Sequence, residues 1–277
     1  MAPEYVFTRD YVDNNRINLQ HYLWCEIFGY RLHPSLSVES PNLQIADVGT
    51  GTGIWLLDLA ARLPTTIQLQ GLDISFAATV PKPMLPSNVT LHQWNVKDPV
   101  PATLIDRYDV LHIRHFMFVL LDDEVSAVLA RLVQMLKPGG FLQWGEHDLT
   151  ALRIATISAD TKIEAHQELR RATLSQDKRL TPTWVPRLPD LFSAAGLVAV
   201  QHDVKEAPPH IALAMHECSM SLHELIARQA GNKELLARVQ DLLPKAARET
   251  RDGAYYAWPM WTVVGRKAEE GNSRSHM

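Results

Sequence analysis

Two hydrophobic periods alternate along the chain. From Asp10 to about Tyr30, Ile17, Leu19, Leu23, Trp24, Ile27 and Phe28 recur at helical spacing, and Asp10 is a suitable N-cap, so the pattern predicts a helix over 10–30. Arg16 and Gln20 fall within or beside its apolar face. Residues 31–43, with Pro34 and Pro41, read as a linker. Ile45, Ala46 and Val48 form a short apolar run that reads as a buried strand, and Ile54 to Leu63 resumes helical spacing after three glycines. Ile67 to Leu72 is a second strand ending at Asp73, and the three prolines of Val80–Pro86 predict an irregular loop in place of a second helix. Val89–Trp94, Tyr108–Ile113 and Phe141–Trp144 read as strands three to five. A helix runs from Asp122 to about Lys137 and stops at Pro138-Gly139-Gly140.

The second half is more helical. Residues 158–180 carry a charged helical pattern, and Trp184 to Ala195 is a helix closed by Gly196. Leu197–Val204 is a sixth strand. After Pro208-Pro209 come two amphipathic helices, about 210–229 and 232–250, the first with an apolar face of Met215, Met220, Leu222 and Leu225 that would line a cavity or pack as ordinary core. Trp258–Val264 is the last strand. Strands alternating with helices predict an α/β protein built on one open sheet.

The turn after the first strand carries the chemistry. Gly49, Gly51 and Gly53 let the backbone turn sharply and approach a ligand, and the helix that follows offers free N–H groups. A dinucleotide fingerprint needs G-x-G-x-x-G, whereas here the third glycine comes one residue early. Asp47 at the strand end would repel a pyrophosphate but suits a ligand with an ammonium and a sulfonium. Asp73 lies about 20 residues after the last glycine, where a carboxylate accepts from ribose hydroxyls.

Asp47-Val48-Gly49-Thr50-Gly51-Thr52-Gly53 resembles the first motif of the class I S-adenosylmethionine-dependent methyltransferases, and Leu72-Asp73-Ile74 resembles their second. Leu136 to Leu142, with Pro138-Gly139-Gly140, looks like the turn before their fifth strand. The likeness covers about residues 44–146. The long lead-in, Asp109 to Arg114 and Leu142 to Glu146 look more specifically like the methyltransferases of fungal secondary metabolism. The resemblance implies a Rossmann-like seven-stranded sheet with an antiparallel last strand. Residues 1–43 would form a helical cover, 44–150 the cofactor-binding core, 151–267 the rest of the core with a helical lid inserted between the final two strands, and 268–277 a disordered tail. It implies S-adenosylmethionine as cofactor, with Asp47, Gly49, Thr50, Gly51 and Gly53 around it, and Asp73 and Ile74 at its ribose. Asn95 stands where the family often has an Asp for the adenine amino group, its carbonyl still able to accept, and Val96 would offer its N–H to the ring. Arg114, delivered to the sheet's carboxyl end by strand four, joins this set. Arg16 and Gln20 either snorkel at the edge of the cover helix or, as the resemblance implies, reach the cofactor's carboxylate. Tyr5 and Tyr11 would line the same mouth. Trp94 is either core or a platform for adenine.

Length and composition narrow the rest. With 277 residues, 46% of them hydrophobic, the chain can bury a full core; a net charge of −4 argues against general nucleic-acid or membrane-surface binding. Two cysteines are too few for a disulfide framework or a Cys-rich metal site. No apolar run reaches a membrane span, and the start, Met1 to Phe7, lacks the basic and apolar regions of a signal peptide. The expectation is a cytoplasmic monomer or homodimer acting on a small molecule, with no nucleic-acid or membrane partner.

Methyl transfer from a sulfonium is an in-line displacement in which the protein aligns the acceptor, excludes water and, for an N, O or S acceptor, removes a proton. His115, Glu146 and His147, all at the ends of strands four and five, are the candidate bases. No metal is expected, because His112 and His115 are three apart on a strand and face opposite ways. The helical insertion implies a fairly apolar metabolite as substrate. Two rivals keep the same motifs: a natural-product cyclase or pericyclase, and a regulatory protein.

Overall fold

The computed structural model describes residues 6–36 and 40–269. Helix α1 (Tyr11–Phe28) starts where Asp10 accepts from the N–H groups of Val12 and Asp13, and it ends at Gly29. The expected apolar face turns inward except at Leu19, and polar groups are buried with it. Leu19 is exposed, whereas Asp13, Arg16, Gln20 and His21 are buried together with Trp24, Ile27 and Phe28. The helix therefore turns polar groups inward, which surface snorkelling does not do.

Then come β1 (Gln44–Val48), α2 (Ile54–Ala60), β2 (Gln68–Asp73), β3 (Val89–Gln93), β4 (Tyr108–Arg114), α3 (Val125–Met135) and β5 (Leu136–His147). The loop between β2 and β3 is irregular, with one short 3₁₀ turn at 82–84, as its prolines dictate. Strand β5 begins five residues earlier than expected. Leu136 already pairs with Tyr108, and the ladder shifts register before resuming at Val110–Phe141, so Pro138-Gly139-Gly140 is an irregularity inside the strand.

The remainder comprises β6 (Arg153–Thr156), α4 (Glu164–Leu174), α5 (Leu188–Ala194), β7 (Leu197–Lys205), α6 (Pro209–Gln229), α7 (Lys233–Arg251), β8 (Ala254–Ala257) and β9 (Met260–Lys267). The main sheet has seven strands in the order β3-β2-β1-β4-β5-β9-β7. β9 runs antiparallel to both β5 and β7, and the other strand pairs are parallel. The expected Rossmann-like sheet with an antiparallel last strand is thus present. The final strand starts two residues later than Trp258–Val264 suggested and runs three residues further, to Lys267. Pro259 cannot donate to a ladder, so the segment breaks there, and residues 254–257 pair instead with β6 in a separate two-stranded sheet.

Alternation along the strands sorts the core onto two faces. Ile45, Leu69 and Val110 pack on Trp55, Leu56 and Leu59 of α2. Ala46, Leu111, Ile113 and Leu142 pack on Leu129 and Leu132 of α3 and Phe192 of α5. α6 and α7 do interrupt the last two strands of the sheet, but α6 lies on α1: Ile211 and Met215 cluster with Trp24 and Phe28, and Cys218 Sγ meets the Arg16 carbonyl at 3.6 Å. Among the described residues no helix is long and apolar enough to cross a membrane. The residues called a disordered tail lie, from 270 on, outside the described residues, as does Tyr5.

Candidate active site

A cavity of about 670 Å³ opens at the carboxyl ends of β1, β2 and β4, between the glycine turn and α1. That is the usual size of a small-molecule site and the usual place for one in an open α/β sheet. The turn between β1 and α2 is built on Gly49 at φ +68 and Gly51 at φ +55, conformations that L side chains rarely adopt. A Cβ on Gly51 would meet nothing nearer than the Gly49 carbonyl at 3.9 Å, so the missing side chain leaves open cavity. Thr50 also lines the cavity. Gly53 does not; it precedes α2 as its N-cap.

Asp73, at the end of β2, holds the turn from below. Its carboxylate accepts from Gly51 N–H at 2.9 Å and Ser75 N–H at 3.2 Å. Burial pushes its pKa up, against those two donors. Asp47 is buried and doubly engaged, by His112 Nδ1 at 2.7 Å and by the Thr50 hydroxyl at 2.8 Å. The His112 ring stacks on Trp55 at 4.0 Å. Asp47 thus braces the turn as well as facing the cavity. Ile74 and Val96 line the wall. Asn95 also lines it, with Oδ1 accepting from Lys97 N–H at 3.0 Å, so the carbonyl expected at an adenine already has one donor. Trp94 is buried, with its indole N–H on the Pro99 carbonyl at 3.3 Å.

The cover helix supplies the opposite wall. Asp13 Oδ1 takes both Nε and Nη2 of Arg16, at 2.9 and 2.6 Å, and Arg16 lies 4.9 Å from the Phe7 ring centroid. As placed, Gln20 Oε1 accepts from Arg16 Nη1 at 3.0 Å, and Gln20 Nε2 lies 2.7 Å from His147 Nε2. Phe7 meets Phe118 edge to face at 5.1 Å. Arg114 lines the cavity, half-buried over Trp24, with Nη2 donating to His21 Nδ1 at 3.1 Å.

The three candidate bases separate. His115 is on the cavity wall, at φ +63 just after β4, and its Nε2 is buried with no partner among the described residues. Burial first, then the neighbouring His147 and Arg114, hold its pKa well below the usual histidine range, so the ring is neutral. Glu146 is not on the wall. It shares a face of β5 with Trp144, two residues before it, and its fully buried carboxylate accepts from the Trp144 indole and from the N–H groups of Phe116 and Met117. Burial pushes its pKa up to about 8 in spite of those donors. It is a brace for the 116–118 turn. His147 points the other way, behind α1, where Gln20, Trp24 and Trp258 cover it. Tyr11 is 77% exposed and does not line the mouth. Met215, Met220, Leu222 and Leu225 do not line it either: Met215 and Met220 pack with Trp24 and Phe28 of α1, and Leu222 and Leu225 join the main core cluster.

Sequence reasoning missed Phe7, Asp13, Asn14 and Arg179 as wall residues. Asp13 Oδ2 and Asn14 Oδ1 are buried acceptors with no partner among the described residues. Their one signal was polarity at positions the helix turns inward. Among the described residues, one group of metal-ligating type was found, His21, Cys25 and Asp58. Its carboxylate is already paired with His21, Arg31 and Arg62, so it is an ion-pair cluster.

The family described as "Methyltransferase domain" matches residues 45–140. N-methyltransferase tcpN of Claviceps purpurea is 33% identical over 207 residues, which span 72% of this chain and 70% of that protein. Methyltransferase grgD of a Penicillium species is 40% identical over 140 residues, or 48% of either chain, so the match reaches about half of that relative. Among solved structures, phosphoethanolamine N-methyltransferase 2 of Haemonchus contortus in complex with S-adenosyl-L-methionine aligns with a TM-score of 0.51 at 13% identity, over 91% of this chain and 53% of that one. That last likeness is one of fold.

Proposed function

The chain belongs to the class I S-adenosylmethionine-dependent methyltransferases, with relatives among the fungal N-methyltransferases, and from that premise we propose that it methylates a nitrogen of a small, fairly apolar metabolite. The observation that carries this reading is one chamber shared by the glycine turn, Asp73 and the neutral His115, closed on the far side by Arg16 and Phe7.

The residues present fit the cofactor. The Gly51 cradle leaves space that any side chain would fill, and Asp73 is set to take ribose hydroxyls. Asn95 and Val96 would flank the adenine, and Arg16 and Gln20 would meet the amino-acid end. When bound, the cofactor supplies an electrophilic methyl on a sulfonium, a good leaving group. The chain's own work is alignment, dehydration and proton removal. His115 Nε2, buried without a partner among the described residues, would take the acceptor's proton in the tautomer that leaves the lone pair there. Asp13 Oδ2 and Asn14 Oδ1 offer acceptors to N–H or O–H groups of a ligand. Phe7, Phe116 and Phe118 keep the site apolar. The names of the relatives support nitrogen as the acceptor.

Calorimetric titration with S-adenosylmethionine and S-adenosylhomocysteine, followed by turnover with apolar amines, amides and phenols, tests the reading. Binding of both nucleosides and N-methyl products are expected. Products methylated only on oxygen would overturn the acceptor assignment, and absence of binding would overturn the whole reading.

A further inference from the structure

Trp258 and His147 have no part in the mechanism above, yet their protons determine what Gln20 can do. Trp258 lies between β8 and β9, and its Nε1 is 2.6 Å from His147 Nδ1. An indole nitrogen only donates, so His147 Nδ1 carries the lone pair. Burial, with Arg114 and Arg16 nearby, pushes the His147 pKa down to about 3 and keeps the ring neutral. Its single N–H must therefore be on Nε2. That N–H faces the Gln20 amide across 2.7 Å and needs an oxygen there. The two ends of an amide are nearly the same shape, so its orientation follows from the bonds it must make.

The choice has a consequence at the cavity. With Oε1 turned to His147, the Gln20 NH₂ is turned toward Arg16, whose Nη1 lies 3.0 Å away. A guanidinium also only donates. Arg16 Nη1–H and Gln20 Nε2–H then face one point of the cavity wall, while Nε and Nη2 of Arg16 stay on Asp13 Oδ1. The orientation as placed, with Oε1 on Arg16 and Nε2 at His147, would put donors on both nitrogens of His147 and require an imidazolate; turning the amide moves the donor–donor contact from that buried point to the cavity wall, where a ligand oxygen can accept from both.

We propose that Trp258 and His147 are positioning residues that hold the Gln20 amide with its NH₂ toward Arg16, making the pair a carboxylate clamp for the amino-acid end of the cofactor. This rests on the cofactor reading above. A ligand carboxylate oxygen placed there accepts from both donors, one of them charged.

The test compares S-adenosylhomocysteine with 5′-methylthioadenosine, which keeps the nucleoside and lacks the amino acid. In Trp258→Phe the donor to Nδ1 is gone, His147 can carry its proton there, and Gln20 is free to turn its oxygen to Arg16. Affinity for S-adenosylhomocysteine should fall roughly tenfold, and affinity for 5′-methylthioadenosine should hold. Gln20→Glu keeps an acceptor for His147 and sets a carboxylate against the clamp, so it should cost more with the first ligand and nothing with the second. Nitrogen-15 spectra of the wild-type histidines should show His147 protonated at Nε2, a readout that does not depend on either variant folding. Equal losses for both ligands, no loss for either, or a wild-type His147 protonated at Nδ1 would overturn the clamp while leaving the cofactor site standing. Failure of the wild type to bind either nucleoside would instead overturn the cofactor reading.

Discussion

The imidazoles of His115 and His147 lie face to face, centroids 4.7 Å apart and planes 12° from parallel. Two rings so placed and so buried resist becoming cations. The His115 pKa is held well below its usual value and that of His147 is pushed down to about 3. A depressed pKa preserves the basic form as pH falls. The acidic limb of kcat/KM for the free enzyme should therefore lie well below the ordinary histidine value of about 6.5. A pH–rate profile with an inflection near that value would mean that the proton acceptor is a different, solvated group.

His115→Asn separates chemistry from architecture. Position 115 sits at φ +63, which Asn tolerates, so the turn after β4 should survive. Asn has no basic nitrogen. Turnover should drop by about 10²-fold or more, the range ascribed to a positioned base, with S-adenosylhomocysteine affinity unchanged in calorimetry. Wild-type turnover would make alignment alone the source of catalysis.

Much of this was legible in the residues because it is local. Asp10 capping α1, the Gly49-to-Gly53 turn and the proline-broken loop after Asp73 each follow from a few neighbouring side chains. What was not legible depends on faces and distant partners. Glu146 and His147 are adjacent in sequence, yet strand alternation sends one beneath the 116–118 turn and the other behind α1, and neither reaches the cavity. Two readings of Arg16 and Gln20 stayed open because both are polar; Asp13 from the preceding turn, and His147 and Phe7 from elsewhere, make their burial tolerable. Trp258 gave no local sign of its partner, which lies 111 residues away.

The two cavity glycines should fail in different ways. At Gly49 a Cβ would stand 2.4 Å from the Phe116 ring, so Gly49→Ala displaces the 116–118 turn and adds backbone strain of about 1–2 kcal/mol. It should lower the melting temperature and cofactor affinity together. At Gly51 the space is open, so Gly51→Val should leave most of the core intact, beyond similar backbone strain, and abolish cofactor binding by filling the cavity. Thermal melts run beside calorimetry distinguish the two. Retained binding in Gly51→Val would refute the cradle.

Glu146→Gln tests the brace. The carboxylate accepts from Phe116 N–H at 2.7 Å, Met117 N–H at 3.2 Å and the Trp144 indole, and a glutamine must turn its NH₂ toward one of them. Above the Glu146 pKa of about 8, where the wild-type side chain is a carboxylate, leaving one buried donor against another costs about 1–3 kcal/mol, so the comparison is made at pH 9. The expected result is a lower denaturation midpoint with cofactor affinity close to wild type. Unchanged stability with lost turnover would restore Glu146 to the chemistry.

Acid should unfold the chain partly through its helical layer. His216, on α6, accepts from Tyr256 N–H at Nδ1 and donates from Nε2 to the Thr250 hydroxyl, so a further proton must displace a backbone donor. Burial, then the neighbouring His166 and His223, push its pKa down to about 3; burial pushes His223, also on α6, down to about 4. Both folded values lie below the unfolded value of about 6.5. Their contribution to stability is therefore intact above that pH and is lost as pH falls toward 4, by up to about 1.4 kcal/mol per pH unit for each group. Denaturant melts at constant ionic strength between pH 7.5 and 4.5 should show this slope. His216→Gln should lower stability at pH 7.5 but flatten the dependence, because it removes one titrating group and leaves the others. An unchanged slope in that variant would mean that the acid sensitivity resides elsewhere, at the His115–His147 pair or in the carboxylates.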